Sequence, residues 1–205
     1  MRKPLLFTVG LVFLLGACSL FGPKEFKPTG TPFTLGPSIT VTSFNGEPPG
    51  WDPRGLFALG LTIRSATGDT VLDTLPAGLF LVPGSNEVQN IILLKPFIIR
   101  ALPGDTAWTI AGFCCNSGLH APGGEDGFDF GPVTDNALFE QLIGIVADKD
   151  YTSALVTVQQ AVWDITDNGR LSQTWVDQLN ALPPDTTNAP VPVPGPTVRQ
   201  LKQAR

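Results

Sequence analysis

Cysteine, histidine and positive charge are all scarce in this chain. Its 205 residues include three cysteines and one histidine, and 13 Lys and Arg stand against 18 Asp and Glu, a net charge of −5. So few cysteines cannot form the disulfide framework that staples many small exported domains. There is no basic stripe to neutralise phosphates, which excludes a nucleic-acid-binding protein. No segment after the N-terminal region has enough unbroken apolar residues to span a bilayer. The single histidine has no obvious orienting acid, so a hydrolase built on a Cys-His pair is disfavoured and no enzyme is expected. No cofactor is implied.

What is present begins with the N-terminus. Arg2 and Lys3 precede an apolar run from Leu5 to Leu15, too short and wrongly flanked for a spanning helix. The run ends in "LGAC", Leu15 to Cys18, which resembles the lipobox of bacterial lipoproteins. That resemblance implies cleavage after residue 17 and acyl chains, such as palmitate, on Cys18. Two or more chains anchor stably, each buried methylene contributing roughly 0.8 kcal/mol. The protein is then exported and lipid-anchored to the bacterial cell envelope, with the membrane as a partner through Cys18. The plainer alternative is an ordinary secretory signal with a chance cysteine.

The expected organisation is a signal peptide over 1–17, a Pro- and Gly-rich tether over 18–32, one domain over 33–182 and a Pro-rich tail over 183–205. Within the domain, 33–112 reads as strands. "SITVTSF", "LFALGLTIRS", "GLFLVP", "NIILLK", "FIIRAL" and "TAWTI" are short β-branched and apolar runs divided by turn residues. Residues 134–182 read as helices. Leu138, Leu142 and Ile145 share one face, with Thr134 or Asp135 as N-cap. Leu155, Val158, Val162 and Ile165 share another, stopped by Asn168-Gly169. A third helix starts at Ser172, with Leu171 and Val176 at staple positions, and ends at Pro183. The fold class is therefore α+β: a β-sandwich or open-barrel-like layer followed by a small cluster of about three helices.

At the junction stands "GFCCNSGLH", Gly112 to His120. A bond between Cys114 and Cys115 would close a strained ring and staple no loop. A metal site from Cys114, Cys115, His120 and Asp126 lacks the usual gap between cysteine ligands. His120 begins "HAPGGEDGFDFGP", which reads as a long loop in which Asp126 and Asp129 are solvated. The bland reading makes both cysteines small buried hydrophobes.

A second segment changes the weighting. "FCCN", Phe113 to Asn116, and "VQQAVW", Val158 to Trp163, together resemble the bacterial thioester domain. That family pairs an aromatic-Cys motif with a later Thr-Gln-x-Ala-Ile/Val-Trp motif. Phe113, Cys114, Cys115 and Asn116 match the first, and Gln159, Ala161, Val162 and Trp163 the second. Val158 departs from the usual Thr. The resemblance implies an internal thioester between Cys114 and Gln159, and covalent capture of an amine on a protein or polysaccharide surface, as in adhesion. Cys114 is favoured over Cys115 because it directly follows the aromatic, and alternation turns the two to opposite sides. Trp163, one turn beyond Gln159, is placed to shield the bond from water. The family's wall-sorting segment and stalk are not seen, so a latent crosslink that rigidifies the fold stands beside amine capture. The competing function is a non-catalytic envelope lipoprotein acting as an interaction or structural module.

Overall fold

The computed structural model describes residues 26–46 and 54–186. The signal peptide, Cys18 and most of the tail therefore lie outside the described residues. Among the described residues nine strands precede three helices: β1 Gly30–Pro32, β2 Ile39–Gly46, β3 Phe57–Ser65, β4 Val71–Leu75, β5 Leu79–Pro83, β6 Ile91–Ile92, β7 Phe97–Ala101, β8 Thr106–Cys114 and β9 Phe128–Thr134, then α1 Ala137–Val146, α2 Leu155–Asn168 and α3 Gln173–Asn180. The class is α+β, as the change of periodicity from two to 3.6 requires.

Seven strands form one antiparallel sheet in the order β1-β9-β5-β6-β8-β3-β2, and β4 pairs with β7 in a separate ribbon. The large sheet rolls until the end of β2 meets the chain entering β9. Asn45 bridges Gly127, and the Gly46 N–H donates to the Asp126 carbonyl at 2.9 Å. Strand alternation then separates two cores. Leu79, Leu81, Ile91, Trp108, Ile110 and Cys114 face the interior of the roll, which the ribbon closes with Leu75, Phe97 and Ile99. Their neighbours Phe80, Ile92, Phe113 and Cys115 face the other way, onto Phe139, Leu142, Val158, Val162 and Ile165 of the helices. Each buried Val, Leu, Ile or Phe contributes roughly 1.5–3 kcal/mol, so this second core is what fastens the helices to the sheet.

Several boundaries differ from the sequence reading. The tether 18–32 is not free along its whole length, because Phe26 packs on Phe80 and Phe139 and residues 30–32 pair with β9. The strand-forming region runs past residue 112, through Cys114. The segment read as a long loop supplies β9, whose Gly and Pro mask its alternation. Asp126 closes a turn by accepting the Gly123 N–H at 2.7 Å, and Asp129 lies exposed in β9. The N-cap of α1 is Asn136, which accepts from the Leu138 N–H at 2.9 Å; Thr134 and Asp135 belong to the preceding strand end and turn. The buried face of α1 is accordingly Phe139, Leu142 and Val146, with Leu138 and Ile145 at its margin. The stop of α2 at Gly169 is as read, with φ +66°, a left-handed conformation suited to glycine. The tail does not begin at 183: Asp150 N–H donates to the Pro183 carbonyl and Asp185 N–H to the Asp148 carbonyl, while Lys95 Nζ meets Asp185 Oδ2 at 2.6 Å.

Candidate functional site

The end of β8 explains why Gln159 is buried. The Cys115 N–H donates to the Asn90 carbonyl, on the β6 side of the strand. Alternation therefore turns the N–H and C=O of Cys114 to the opposite edge. There β3 has run out: its last bond to this strand is the Leu56 N–H to the Gly112 carbonyl, at 2.9 Å. Two backbone groups at the buried end of the strand thus need partners that no strand supplies, and leaving them unpaired is costly.

Gln159 supplies both. Its Oε1 accepts the Cys114 N–H at 2.9 Å, and its Nε2 donates to the Cys114 carbonyl at 2.7 Å. The side-chain amide takes the place of a neighbouring strand's peptide group. Gln159 is 1% exposed and Cys114 fully buried. The close seating of β8 against β6 depends on Gly112, where a Cβ would stand 2.5 Å from the Ile91 side chain and 2.6 Å from the Ile92 carbonyl oxygen.

Two turns further along α2, the helix holds the loop that follows β8. Thr166 Oγ1 accepts the Asn116 N–H at 3.2 Å, and Asp167 accepts both the N–H and the hydroxyl of Ser117. Asn116 takes φ +66°, which Asn tolerates better than most residues. Its Nδ2 donates to the Phe26 carbonyl at 3.1 Å, while its buried Oδ1 has no partner among the described residues. Seven residues separate Gln159 from Thr166, which sets both on one helix face. That spacing is legible in the sequence.

The structure thus brings Cys114 and Gln159 together through the Cys114 backbone. Cys114 turns its side chain into the roll, whereas Cys115 joins the helix-side core that also holds Ala161, Val158 and Val162. Phe113 lies in that second core too, with its ring edge-on to Tyr151 at 5.8 Å. Both cysteines are free. Burial pushes the Cys114 thiol well above the ordinary thiol range. It does the same to Cys115, with the adjacent Cys114 and the Asp167 carboxylate adding to the effect. Both are therefore protonated thiols at neutral pH.

Trp163 is half-buried, and its indole N–H donates to Gln89 Oε1 at 3.3 Å. Gln89, 4% exposed, in turn donates through Nε2 to the Leu119 carbonyl at 2.9 Å. Sequence reasoning missed this second buried glutamine, and its flanks carry no signal for it. His120 is exposed and takes part through its backbone, bridging Val88. Among the described residues no group of three His, Cys, Asp or Glu side chains is arranged to hold a metal ion.

Where α2 ends, Asp164 ties it to α3. Its carboxylate accepts from Arg170 Nε at 3.1 Å, from Asn168 Nδ2 at 3.2 Å and from the Ser172 N–H at 2.9 Å. Burial by itself raises the carboxyl pKa. The hydrogen bonds from Arg170 and Ser172, with the charge of Arg170, outweigh it and hold the group below the ordinary value. Comparison with protein-family models, with curated proteins and with solved structures finds no match for this chain.

Proposed function

We propose that Cys114 and Gln159 form an internal thioester, in a lipid-anchored envelope protein that uses it to capture an amine covalently or to crosslink its own fold. The observation that carries this reading is the two-point contact of the Gln159 amide with the Cys114 backbone, 45 residues apart in the chain and closed off from water. Near-attack placement is what an unreactive amide requires. A strand side chain stands out of the plane that holds its own N–H and C=O. The Cys114 thiol is carried by the same residue as the clasped N–H and C=O, on the side of the strand that faces the roll. The Cys114 N–H also polarises the Gln159 carbonyl and remains to stabilise an oxyanion there.

The step balances simply. The Cys114 sulfur bonds to Gln159 Cδ, the C–N bond breaks, and ammonia leaves with the thiol proton. In capture, an amine nitrogen bonds to the same carbon, the C–S bond breaks, and the thiol regains a proton. Because burial keeps Cys114 protonated, formation is expected to be slow and to occur once, during or after folding.

A second reading is favoured by the same two hydrogen bonds: Gln159 is a static clasp for a strand end in an unreactive envelope module. Intact mass separates the two. With the chain expressed from Ser19, a thioester makes it one ammonia lighter than its sequence. Cys114→Ala restores the full mass and Cys115→Ala keeps the deficit. A wild-type chain of full mass, with both thiols alkylated on unfolding, leaves only the clasp.

A further inference from the structure

We propose that the cleft between α2 and α3 is the docking site of this chain's own Pro-rich, basic segment, residues 187–205. The cleft holds about 410 Å³ and is lined by Gln160, Trp163, Asp164 and Asp167 of α2 and by Thr174 and Trp175 of α3, among others. The segment reads "TNAPVPVPGPTVRQLKQAR". Pro190, Pro192, Pro194 and Pro196 alternate with other residues, and Arg199, Lys202 and Arg205 follow, with no Asp or Glu. Such a sequence favours the extended polyproline helix, which aromatic-lined grooves recognise.

Charge, hydrogen bonding and reach all fit this occupant. Asp164 is answered by Arg170 at 3.1 Å. The donors to Asp167 are the neutral Ser117 and Thr166, and Asp177, one turn along α3 from Thr174, accepts from the neutral Gln173. Two carboxylates at or beside the cleft are thus left for the three cations of the segment. Proline has no N–H, so a Pro-rich segment brings carbonyl acceptors in surplus and needs donors. Trp163 already gives its indole N–H to Gln89. Among the described residues, the Trp175 indole N–H and the Gln160 amide have no such partner. Both half-buried indoles offer apolar surface on which proline rings can stack. Trp175 lies five residues before the end of α3, about 7.5 Å along the axis. The six further residues to Thr186 add at most about 21 Å. Residues 187–196 in polyproline geometry span about 31 Å. The segment can therefore turn back along α3, lay its prolines in the cleft and bring Arg199 and Lys202 past its acidic side.

Docking needs no thioester, and its test reads the same with or without one. A short tether gives an effective concentration of about 1 mM, so a Kd of about 100 μM for the free segment keeps the cleft about nine-tenths occupied. A fluorescein-labelled synthetic peptide of residues 187–205 is titrated, by anisotropy, into two chains that both start at Ser19. One is wild type. The other carries Arg199→Glu, Lys202→Glu and Arg205→Glu, which repels its own tail and vacates the cleft. The peptide should bind the charge-reversed chain with a Kd near 100 μM and the wild type about tenfold more weakly, because there the cleft is already filled. Gln160 and Thr174 are exposed, so Gln160→Lys and Thr174→Lys, each added to the charge-reversed chain, alter the cleft's charge with little effect on packing. Each should weaken the peptide about threefold. A peptide with Pro192→Ala and Pro194→Ala should bind about fivefold more weakly than the natural one. The proposal is overturned if the charge-reversed chain shows no saturable binding up to 1 mM peptide, or if it binds no more tightly than wild type. It is equally overturned if the Lys variants bind like their parent, if the Ala peptide binds like the natural one, or if light scattering shows that the wild-type tail joins two copies of the chain instead of folding back on its own.

Discussion

Replacing Gln159 with Met in the Cys114→Ala background isolates the clasp. Met is similar in volume and flexible, so packing changes little. What is lost is the partner of two buried backbone groups, the Cys114 N–H at 2.9 Å and C=O at 2.7 Å. Each unsatisfied buried group costs roughly 1–3 kcal/mol, which makes the expected loss about 2–6 kcal/mol. A domain of this kind is stable by only about 5–15 kcal/mol. The assay is urea unfolding followed by tryptophan fluorescence, with the midpoint compared at constant slope. A loss below about 0.5 kcal/mol, less than one ordinary hydrogen bond, would refute the reasoning. It would mean that water or a shifted strand end satisfies the Cys114 backbone as well as Gln159 does. The background matters, because in a chain carrying the thioester the same substitution would also remove a covalent tie.

Three further outcomes are expected. If the thioester forms, it closes a loop of 45 residues, and the wild-type chain should exceed Cys114→Ala in stability by up to about 4 kcal/mol, on the loop-entropy estimate used for disulfides; equal urea midpoints with the mass deficit present would contradict this. The folded pKa of Asp164 is depressed, so its contribution is present above the unfolded value of about 4 and is lost as pH falls through the folded one. Asp164→Asn should therefore flatten the acid limb of a stability-against-pH curve, and an unchanged limb would show that other carboxylates dominate. Gly169→Ala forces a side chain into φ +66° and should cost about 1–2 kcal/mol in a thermal melt, with no effect on the mass of the chain.

What could be read from the sequence is what local periodicity encodes. The division into strands and then helices follows from apolar spacing, as do the glycine stop of α2 and Ser172 as the N-cap of α3. Those signals are local because each element's buried face is written in its own residues. The strand β9 escaped because Gly131 and Pro132 break its pattern, and it is held instead by β5 and β1, which lie far away in the chain. The buried face of α1 is Phe139, Leu142 and Val146 because those residues share a core with Phe80, Ile92 and Phe113 of the sheet, a contact that the helix's own residues do not encode. The pairing of Cys114 with Gln159 entered through motif resemblance. Composition and spacing alone leave both residues looking like ordinary core and helix positions.

Only the tertiary structure decided why Gln159 is buried at all. The pairing of β3 stops at Phe57 opposite Gly112, two positions short of Cys114, so an orphaned N–H and C=O draw in a side chain from a helix 45 residues on. The sequence by itself determined that the two cysteines must face opposite ways. Which core each enters, and which of them meets the glutamine, depends on strand register and on where a neighbouring strand stops. Those are properties of the assembled sheet, because backbone hydrogen bonds must be satisfied by whatever group the fold brings within reach.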